Sequence, residues 1–179
     1  LPLWAAAPTS PESTAALDEV FVAALQNQRR FEVVALSRED CRRRFHAEAL
    51  SSAAALPPDL LAALRREFAA DAVLFVDLTV FHVYKPLALG LRAKLATIDG
   101  AKLVWSFDEV FAAENPLVAN GARHHFIDSD RTVPADVTPA ALQSPTRFAT
   151  YAATTMFATL PPVNPPPPVV SVARKVHAR

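Results

Sequence analysis

Residues 71–111 alternate hydrophobic and polar positions in the manner of three consecutive β-strands. Residues 72–76 are hydrophobic without interruption, which is typical of a strand that is covered on both faces. From Asp77 to Tyr84 one face admits polar side chains, so this first strand is expected to run from the core towards an edge of the domain. Pro86 then predicts a turn, because proline cannot donate a hydrogen bond to a central ladder.

The next two strands each present one hydrophobic face, made of Leu87, Leu89, Leu91, Ala93 and Leu95 in the second strand and of Leu103, Trp105 and Phe107 in the third. Asp99 and Gly100 predict the turn between them. A three-residue loop over residues 98–100, with Gly100 in the left-handed region, keeps all of these side chains on one face. The predicted pairs are then Leu95 with Leu103 and Ala93 with Trp105.

Five helices and two further strands are predicted around this unit. Ser10, Ser37 and Ser144 are the predicted N-caps, and both Ser10 and Ser144 are followed by a proline at the first helical position. The predicted helices cover residues 11–28, 38–46, 57–68, 116–126 and 145–160, and the predicted strands cover residues 1–5 and 31–36.

This order of elements predicts an α/β sandwich with a mixed sheet, a C-terminal three-strand antiparallel meander and helices packed on the sheet. Residues 1–160 are predicted to form a single domain, for which their length is ample. Residues 161–179 are predicted to be an appendage. Six prolines among residues 161–168 favour a polyproline II segment there, and a basic tail follows it.

The composition is that of an ordinary folded protein, and it limits the possible functions. Of the 179 residues, 51% are hydrophobic and 20% are charged, and 18 Lys+Arg balance 18 Asp+Glu. No global field therefore favours nucleic acid or an anionic membrane. Cys41 is the only cysteine, which excludes an internal disulfide and a multi-cysteine zinc site.

No hydrophobic run in the sequence approaches the roughly 20 residues that a membrane-spanning helix needs. The chain starts at Leu1 rather than at methionine. We therefore expect a processed or truncated form, from which a signal or anchor segment has been removed.

Three stretches of the sequence resemble a known group of proteins. They are Phe-Glu-Val-Val-Ala-Leu-Ser at residues 31–37, Ala-Asp-Ala-Val-Leu-Phe-Val at residues 70–76 and Asp-Gly-Ala-Lys-Leu-Val-Trp-Ser at residues 99–106. The combination is similar to bacterial envelope lipoproteins. This group includes the curli-secretion lipoprotein, the lipoprotein activator of penicillin-binding proteins and the N-terminal domain of the TolB type.

The resemblance covers roughly residues 1–160 and implies a non-enzymatic envelope domain that binds another envelope protein. It also implies a periplasmic location, a lipid-modified cysteine upstream of Leu1 in the full gene product, and no catalytic residue, metal or cofactor. Ala101 and Lys102 stand where the group often has an acidic residue after the glycine, and no pore-forming insertion is recognisable. A secretion channel is therefore not part of the expectation.

A cluster of arginines supports an alternative function. Arg38, Arg42, Arg43 and Arg44 lie in the predicted second helix, where they could bind phosphate groups in a nucleic-acid or nucleotide-binding module. The competing explanation is a solvated helix face. The chain has three glycines and no glycine-rich phosphate loop, which argues against a bound nucleotide.

A second alternative is a metal-dependent hydrolase built on His124, His125, Asp128 and Asp130. Adjacent residues of a helix point about 100° apart, so two neighbouring histidines seldom bind the same ion. The competing explanation is a polar helix end, where the helix dipole favours a cationic histidine.

Cys41 and His46 form a candidate nucleophile and base. They lie five residues apart in one predicted helix, which is a poor geometry for this pair. No third orienting group or oxyanion loop is recognisable, so the residues favour a lone cysteine in a helix.

The predicted partner-binding residues are Tyr84, Lys85 and Pro86 at the hairpin tip, together with Arg42 and Arg43 on the arginine-rich helix. An exposed turn and a stiff proline-rich segment both suit docking, because neither loses much conformational freedom on binding. The competing explanations are an ordinary turn and an ordinary spacer.

Overall fold

The protein, seen in a computed structural model that describes residues 1–7, 9–129 and 142–162, contains one four-stranded sheet with helices on both faces. Its strands are β1 (Trp4–Ala5), β2 (Ala72–His82), β3 (Ala88–Thr97) and β4 (Leu103–Ala112). Its helices are α1 (Pro11–Asn27), α2 (Arg38–Phe45), α3 (Leu60–Phe68), α4 (Pro116–Ser129) and α5 (Pro145–Ala158).

The sheet order is β1-β2-β3-β4, in which β1 runs parallel to β2 and the other three strands form an antiparallel meander. The predicted fold class, a mixed sheet with a C-terminal meander and packed helices, is confirmed. The predicted proline-rich segment and basic tail lie, beyond Pro162, outside the described residues.

The larger hydrophobic cluster covers one face of the sheet. Leu78 of β2 and Leu91 of β3 lie opposite each other and are fully buried in it. Phe21 of α1 and Phe157 of α5 belong to the same cluster, and their rings pack edge to face with their centres 6.2 Å apart. This face therefore holds α1, α4 and α5 against the meander.

The smaller cluster covers the first part of β2 on the opposite face. Val73 and Phe75 of β2 pack there against Cys41 of α2 and Leu60 of α3. The hydrophobic run of β2 is thus explained, because its side chains enter two cores in alternation.

The predicted N-caps are confirmed. Ser10, Ser37 and Ser144 each accept a hydrogen bond from the backbone N–H three residues later, at 3.1, 3.0 and 3.4 Å. Helix α2 ends at His46, which is in the left-handed conformation with a φ of 58°.

The turn between β3 and β4 is longer than predicted, and the predicted pairs were wrong. Gly100 is left-handed, with a φ of 77°, but the loop closes at Thr97, whose N–H donates to the Lys102 carbonyl at 2.9 Å. A bulge at Val104 then shifts the register, so that Leu95 pairs with Trp105 and Ala93 pairs with Phe107. The bulge keeps Trp105 and Phe107 on the covered face, whereas Leu103, which pairs with Ala96, is 50% exposed.

The predicted strand over residues 31–36 was wrong, because the segment is irregular and lies outside the sheet. The outward backbone groups of the β1 edge are already occupied at Leu3. Its N–H donates to Asp18 Oδ1 at 2.8 Å, and Arg38 Nη2 donates to its carbonyl at 2.8 Å. Arg38 Nε and Nη2 also donate to the Asp18 carboxylate at 2.7 and 3.1 Å. These two side chains take the groups that a fifth strand would need, so they close this edge.

Asp77 is a buried carboxylate in the middle of β2, only 1% exposed. Ser51 Oγ and Ser52 Oγ donate to its Oδ2 at 3.0 and 2.9 Å, and the Ser52 N–H donates to its Oδ1 at 2.9 Å. Lys94 Nζ donates to the Ser52 carbonyl at 2.8 Å. Burial of this charge is tolerated because its oxygens are hydrogen-bonded, and the result is a fixed loop between α2 and α3.

Arg44 joins α2 to α3 at the surface. Its Nη1 donates to Asp40 at 3.0 Å and its Nε donates to Glu67 at 2.6 Å, while its guanidinium carbon lies 5.2 Å from the centre of the Phe68 ring. The hydrogen bond from Arg44 lowers the pKa of Glu67 from its ordinary value.

Asp77→Ala is expected to lower the free energy of unfolding by about 3 kcal/mol, because Ser51 and Ser52 would keep buried donors without an acceptor. Asp77→Asn retains one acceptor oxygen and should cost less. Urea denaturation measures both losses, with the exposed Asp108→Asn as control. A loss for Asp77→Ala no larger than the control's would contradict the role of Asp77.

Glu67 is expected to stabilise the fold at neutral pH and to lose this contribution in acid. Its folded pKa is lowered, so its stabilisation is present above the ordinary value of 4.5 and is lost as the pH falls through the folded pKa. The stability difference between the natural protein and Glu67→Gln should therefore shrink between pH 7 and about pH 3. Urea midpoints measure it, and Glu109→Gln on β4 is the control. A difference that stays constant with pH would refute the linkage.

Candidate functional site

The hairpin tip between β2 and β3 projects from one end of the sheet. Tyr84 is 85% exposed, and Lys85 and Pro86 are exposed beside it. The tip is anchored by Leu87, which is buried and whose carbonyl accepts the N–H of Ala113 at 2.8 Å. An exposed tyrosine on an anchored turn offers contact area with few rotatable bonds.

Two exposed hydrophobic residues that the sequence reasoning missed lie at the same end. Leu117 is 81% exposed in the first turn of α4, shortly after Ala113, and Val110 is 54% exposed near the end of β4. Val110 lies on the polar face of β4 together with Asp108. A hydrophobic residue at a position that the pattern assigns to the polar face was the sequence signal for its exposure. Leu117 had no such signal, because a hydrophobic residue in a first helical turn is ordinarily buried. We call this surface the hairpin end; it comprises Tyr84, Lys85, Pro86, Val110 and Leu117.

The outer edge of β4 is open along the part of the chain that the structure describes, since β3 is its only strand neighbour there. The hydrogen bond from the Ala113 N–H to the Leu87 carbonyl shows which residues direct their backbone groups towards β3. Because this direction alternates along a strand, the backbone N–H and C=O groups of Ser106, Asp108 and Val110 point away from β3. Residues 103–112 contain no proline and no lysine, two of the residues that commonly protect an edge strand. The strand also carries Asp108, Glu109 and the bulge at Val104, and charged residues and bulges are further features that protect an edge strand.

The arginines of α2 are engaged within the domain. Arg42 pairs with Glu48 and Arg43 pairs with Asp40, while Arg38 and Arg44 hold the acidic partners already described. The positive charge of this helix is therefore balanced locally, which leaves the nucleic-acid alternative without a specific supporting observation. Within the described residues, no hydrogen bond or ion pair joins these arginines to the hairpin tip, so the two predicted contact regions are separate.

A hydrophobic groove of about 580 Å³ lies between α1, residues 31–36 and the start of β2. Phe21 and Phe68 contribute to its walls from the two opposite layers. Its lining contains no serine, threonine, cysteine or histidine. The lining residue Arg30 is engaged with the carbonyl of Leu160. The groove is thus mainly hydrophobic, and its charged lining residues are Asp18, Arg30, Glu32 and Asp71.

Cys41 and His46 do not form a nucleophile and base pair. Cys41 is fully buried in the smaller cluster, and this burial raises the pKa of its thiol. His46 is exposed at the end of α2. A buried thiol with a raised pKa is a poor nucleophile.

The histidines of α4 differ in their surroundings. The centre of the His125 ring lies 5.2 Å from the centre of the Phe126 ring and 5.9 Å from that of the Tyr151 ring, whereas His124 is exposed. The side chain of Asp128 and the whole of Asp130 lie outside the described residues. Over the part of the chain that is described, no three His, Cys, Asp or Glu side chains are grouped to hold a metal ion.

Among the helices of the described ranges, none combines the length and the hydrophobicity needed to cross a membrane.

Comparison with known proteins gives little further guidance. No protein-family model matches the chain, and no curated protein sequence matches it. Among solved structures it is similar to lipoprotein GNA1162 from Neisseria meningitidis, with 16% sequence identity and a TM-score of 0.46. The match covers 75% of this chain and 96% of the Neisseria chain.

Proposed function

We propose that this chain is a non-enzymatic domain of the bacterial cell envelope that binds another envelope protein through the hairpin end. The observation that carries the proposal is the position of Tyr84 and Leu117. They are the two most exposed large hydrophobic side chains on the described surface, and both lie at one end of the sheet. The envelope setting rests on the sequence resemblance to envelope lipoproteins.

The chemistry of the hairpin end suits a protein contact. Burial of a leucine side chain against a partner contributes about 2 kcal/mol, and tyrosine is among the residues that dominate binding energies. Lys85 supplies a charged rim next to the hydrophobic centre. The buried Leu87 anchors the turn, so little order has to be gained on binding.

The proposal includes a periplasmic location with a lipid anchor upstream of Leu1, and it assigns no catalytic residue, metal or cofactor. The structural support for a binding role is that the polar side chains of the interior serve the fold. Asp77 holds a loop, and the Asp18–Arg38 pair closes a sheet edge.

Cell fractionation of the full-length gene product, with metabolic palmitate labelling, tests the location. We expect the labelled protein in the envelope fraction, because the proposed anchor is an acylated cysteine. Unlabelled protein in the cytosol would overturn the envelope assignment.

Photo-crosslinking in cells tests the contact surface. A photoreactive residue at position 84 or 117 should give a discrete protein adduct, whereas one at Leu56, exposed on the loop between α2 and α3, should not. Tyr84→Ala and Leu117→Ala should each weaken capture by about ten-fold, as expected for interface hot spots. Val34→Ala is the matched control, because Val34 is an exposed hydrophobic residue far along the chain from this end. Equal capture from position 84 and from position 56 would refute the hairpin end as the contact surface.

A further inference from the structure

Residues 31–36, which form one wall of the hydrophobic groove, have unpaired backbone groups. Over the described part of the chain these residues belong to no helix or strand, and no hydrogen bond joins their N–H and carbonyl groups to another protein group. Their sequence, Phe-Glu-Val-Val-Ala-Leu, is typical of a strand, and Val34 is 57% exposed. The segment therefore has the donors, acceptors and side chains to pair with an extended chain.

The chain leaves helix α5 at this same groove. Leu160 is buried and lines the groove. Arg30, which immediately precedes residues 31–36, donates to the Leu160 carbonyl at 2.5 Å. Residues 163–179 follow, outside the described ranges. Because this segment is tethered beside the groove, it meets the groove at a much higher effective concentration than a free partner does.

We propose that residues 169–173 of this chain, Val-Val-Ser-Val-Ala, occupy the groove as a strand that runs antiparallel to residues 31–36. Valine favours strands, and the alternation of a strand directs Val170 and Val172 to one face, which here is turned towards the hydrophobic groove. Residues 161–168 are unsuited to this role, because their six prolines cannot donate to a ladder.

The length of the proline-rich stretch determines the direction of the strand. Its eight residues span about 25 Å in the stiff polyproline II conformation, whereas residues 31–36 span about 20 Å when extended. The stretch carries the chain from Leu160, which is held by Arg30, to the Leu36 end of the groove. Residues 169–173 return from that end towards Arg30, so they run antiparallel to residues 31–36.

The charges of the two segments agree with this direction. Arg174 and Lys175 follow the proposed strand, and its return brings them to the end of the groove where Glu32 lies. Glu32 is exposed, and within the described ranges it takes part in no ion pair. Opposite charges on neighbouring strands stabilise the pairing of those strands, modestly where the charges are exposed.

Hydrogen–deuterium exchange of the complete chain, read by mass spectrometry, tests the pairing. The peptide that covers residues 31–36 should contain amides that exchange about ten-fold more slowly than those of a free chain, although the rest of the described domain gives them no acceptor.

Prolines in the proposed strand should abolish this protection. Val170→Pro combined with Ser171→Pro removes two adjacent N–H groups, one of which faces residues 31–36 whichever way the strand is turned. The matched control is Val163→Pro combined with Asn164→Pro, within the proline-rich stretch, and it should leave the slow exchange unchanged. Circular dichroism establishes that both variants are folded.

Cysteine pairs test the direction of the strand. Glu32 and Ala35 are both exposed. Glu32→Cys should form an internal disulfide faster with Ala173→Cys than with Val170→Cys, because opposite residues of a ladder lie within disulfide reach. Ala35→Cys should show the reverse preference. Leu56→Cys, on the loop between α2 and α3, is the control and should link slowly with both of these positions.

Each outcome decides the inference. Slow exchange of residues 31–36 that the Val170→Pro, Ser171→Pro variant abolishes, together with the antiparallel cysteine preference, supports it. Rapid exchange of residues 31–36 in the complete chain overturns it, and so does slow exchange that survives in this variant. A parallel cysteine preference, or disulfides that join two copies of the chain, would equally overturn it. The groove lies at the start of β2 and the hairpin end follows the last residue of β2, so these results are independent of the proposed function.

Discussion

The structure depends on the burial of β2 on both faces. Leu78 enters the larger cluster beneath α1 and α5, while Val73 and Phe75 enter the smaller cluster beneath α2 and α3. A strand that feeds two cores must be interior on both sides, so the helices have to be distributed over both faces of the sheet. The meander partner β3 then extends the larger core, and β4 becomes its outer border.

Buried polar groups determine where the irregular parts of the chain lie. Asp77 interrupts the hydrophobic run of β2, and its hydrogen bonds to Ser51 and Ser52 bring the loop between α2 and α3 onto the sheet. The Asp18–Arg38 pair holds the N–H and the carbonyl of Leu3. Both arrangements satisfy groups that would otherwise be costly to bury, and both do so with side chains that are distant in sequence.

The two borders of the sheet differ as a consequence. The border at β1 is closed by side chains, whereas the border at β4 is open over the described residues and carries exposed valines. The hairpin end adds Tyr84 and Leu117 at a corner of the same sheet. Exposed hydrophobic side chains therefore lie at the β4 border and at this corner, in addition to the groove beside residues 31–36. The proposed partner surface, the hairpin end, lies at this corner.

By itself, the sequence determined the elements whose signals are local. The alternation of residues 71–111 predicted the meander, and the serine caps predicted the starts of α1, α2 and α5, because period and capping depend on near neighbours. The exposed tip at Tyr84 was also predictable from Pro86. Residues 31–36 have the sequence pattern of a strand but do not form one. Strand β1 has only two residues, and the backbone N–H and carbonyl of the neighbouring Leu3 are hydrogen-bonded to Asp18 and Arg38.

Only the tertiary structure decided the features that arise between distant segments. The register of β3 and β4 depends on the bulge at Val104. The burial of Asp77 depends on hydrogen bonds from Ser51 and Ser52, and the exposure of Leu117 depends on how α4 packs on the domain. A hydrogen bond or a buried face between residues far apart leaves no periodic trace in either segment. Its formation depends on which surfaces the fold brings together, and this is settled only when the layers pack.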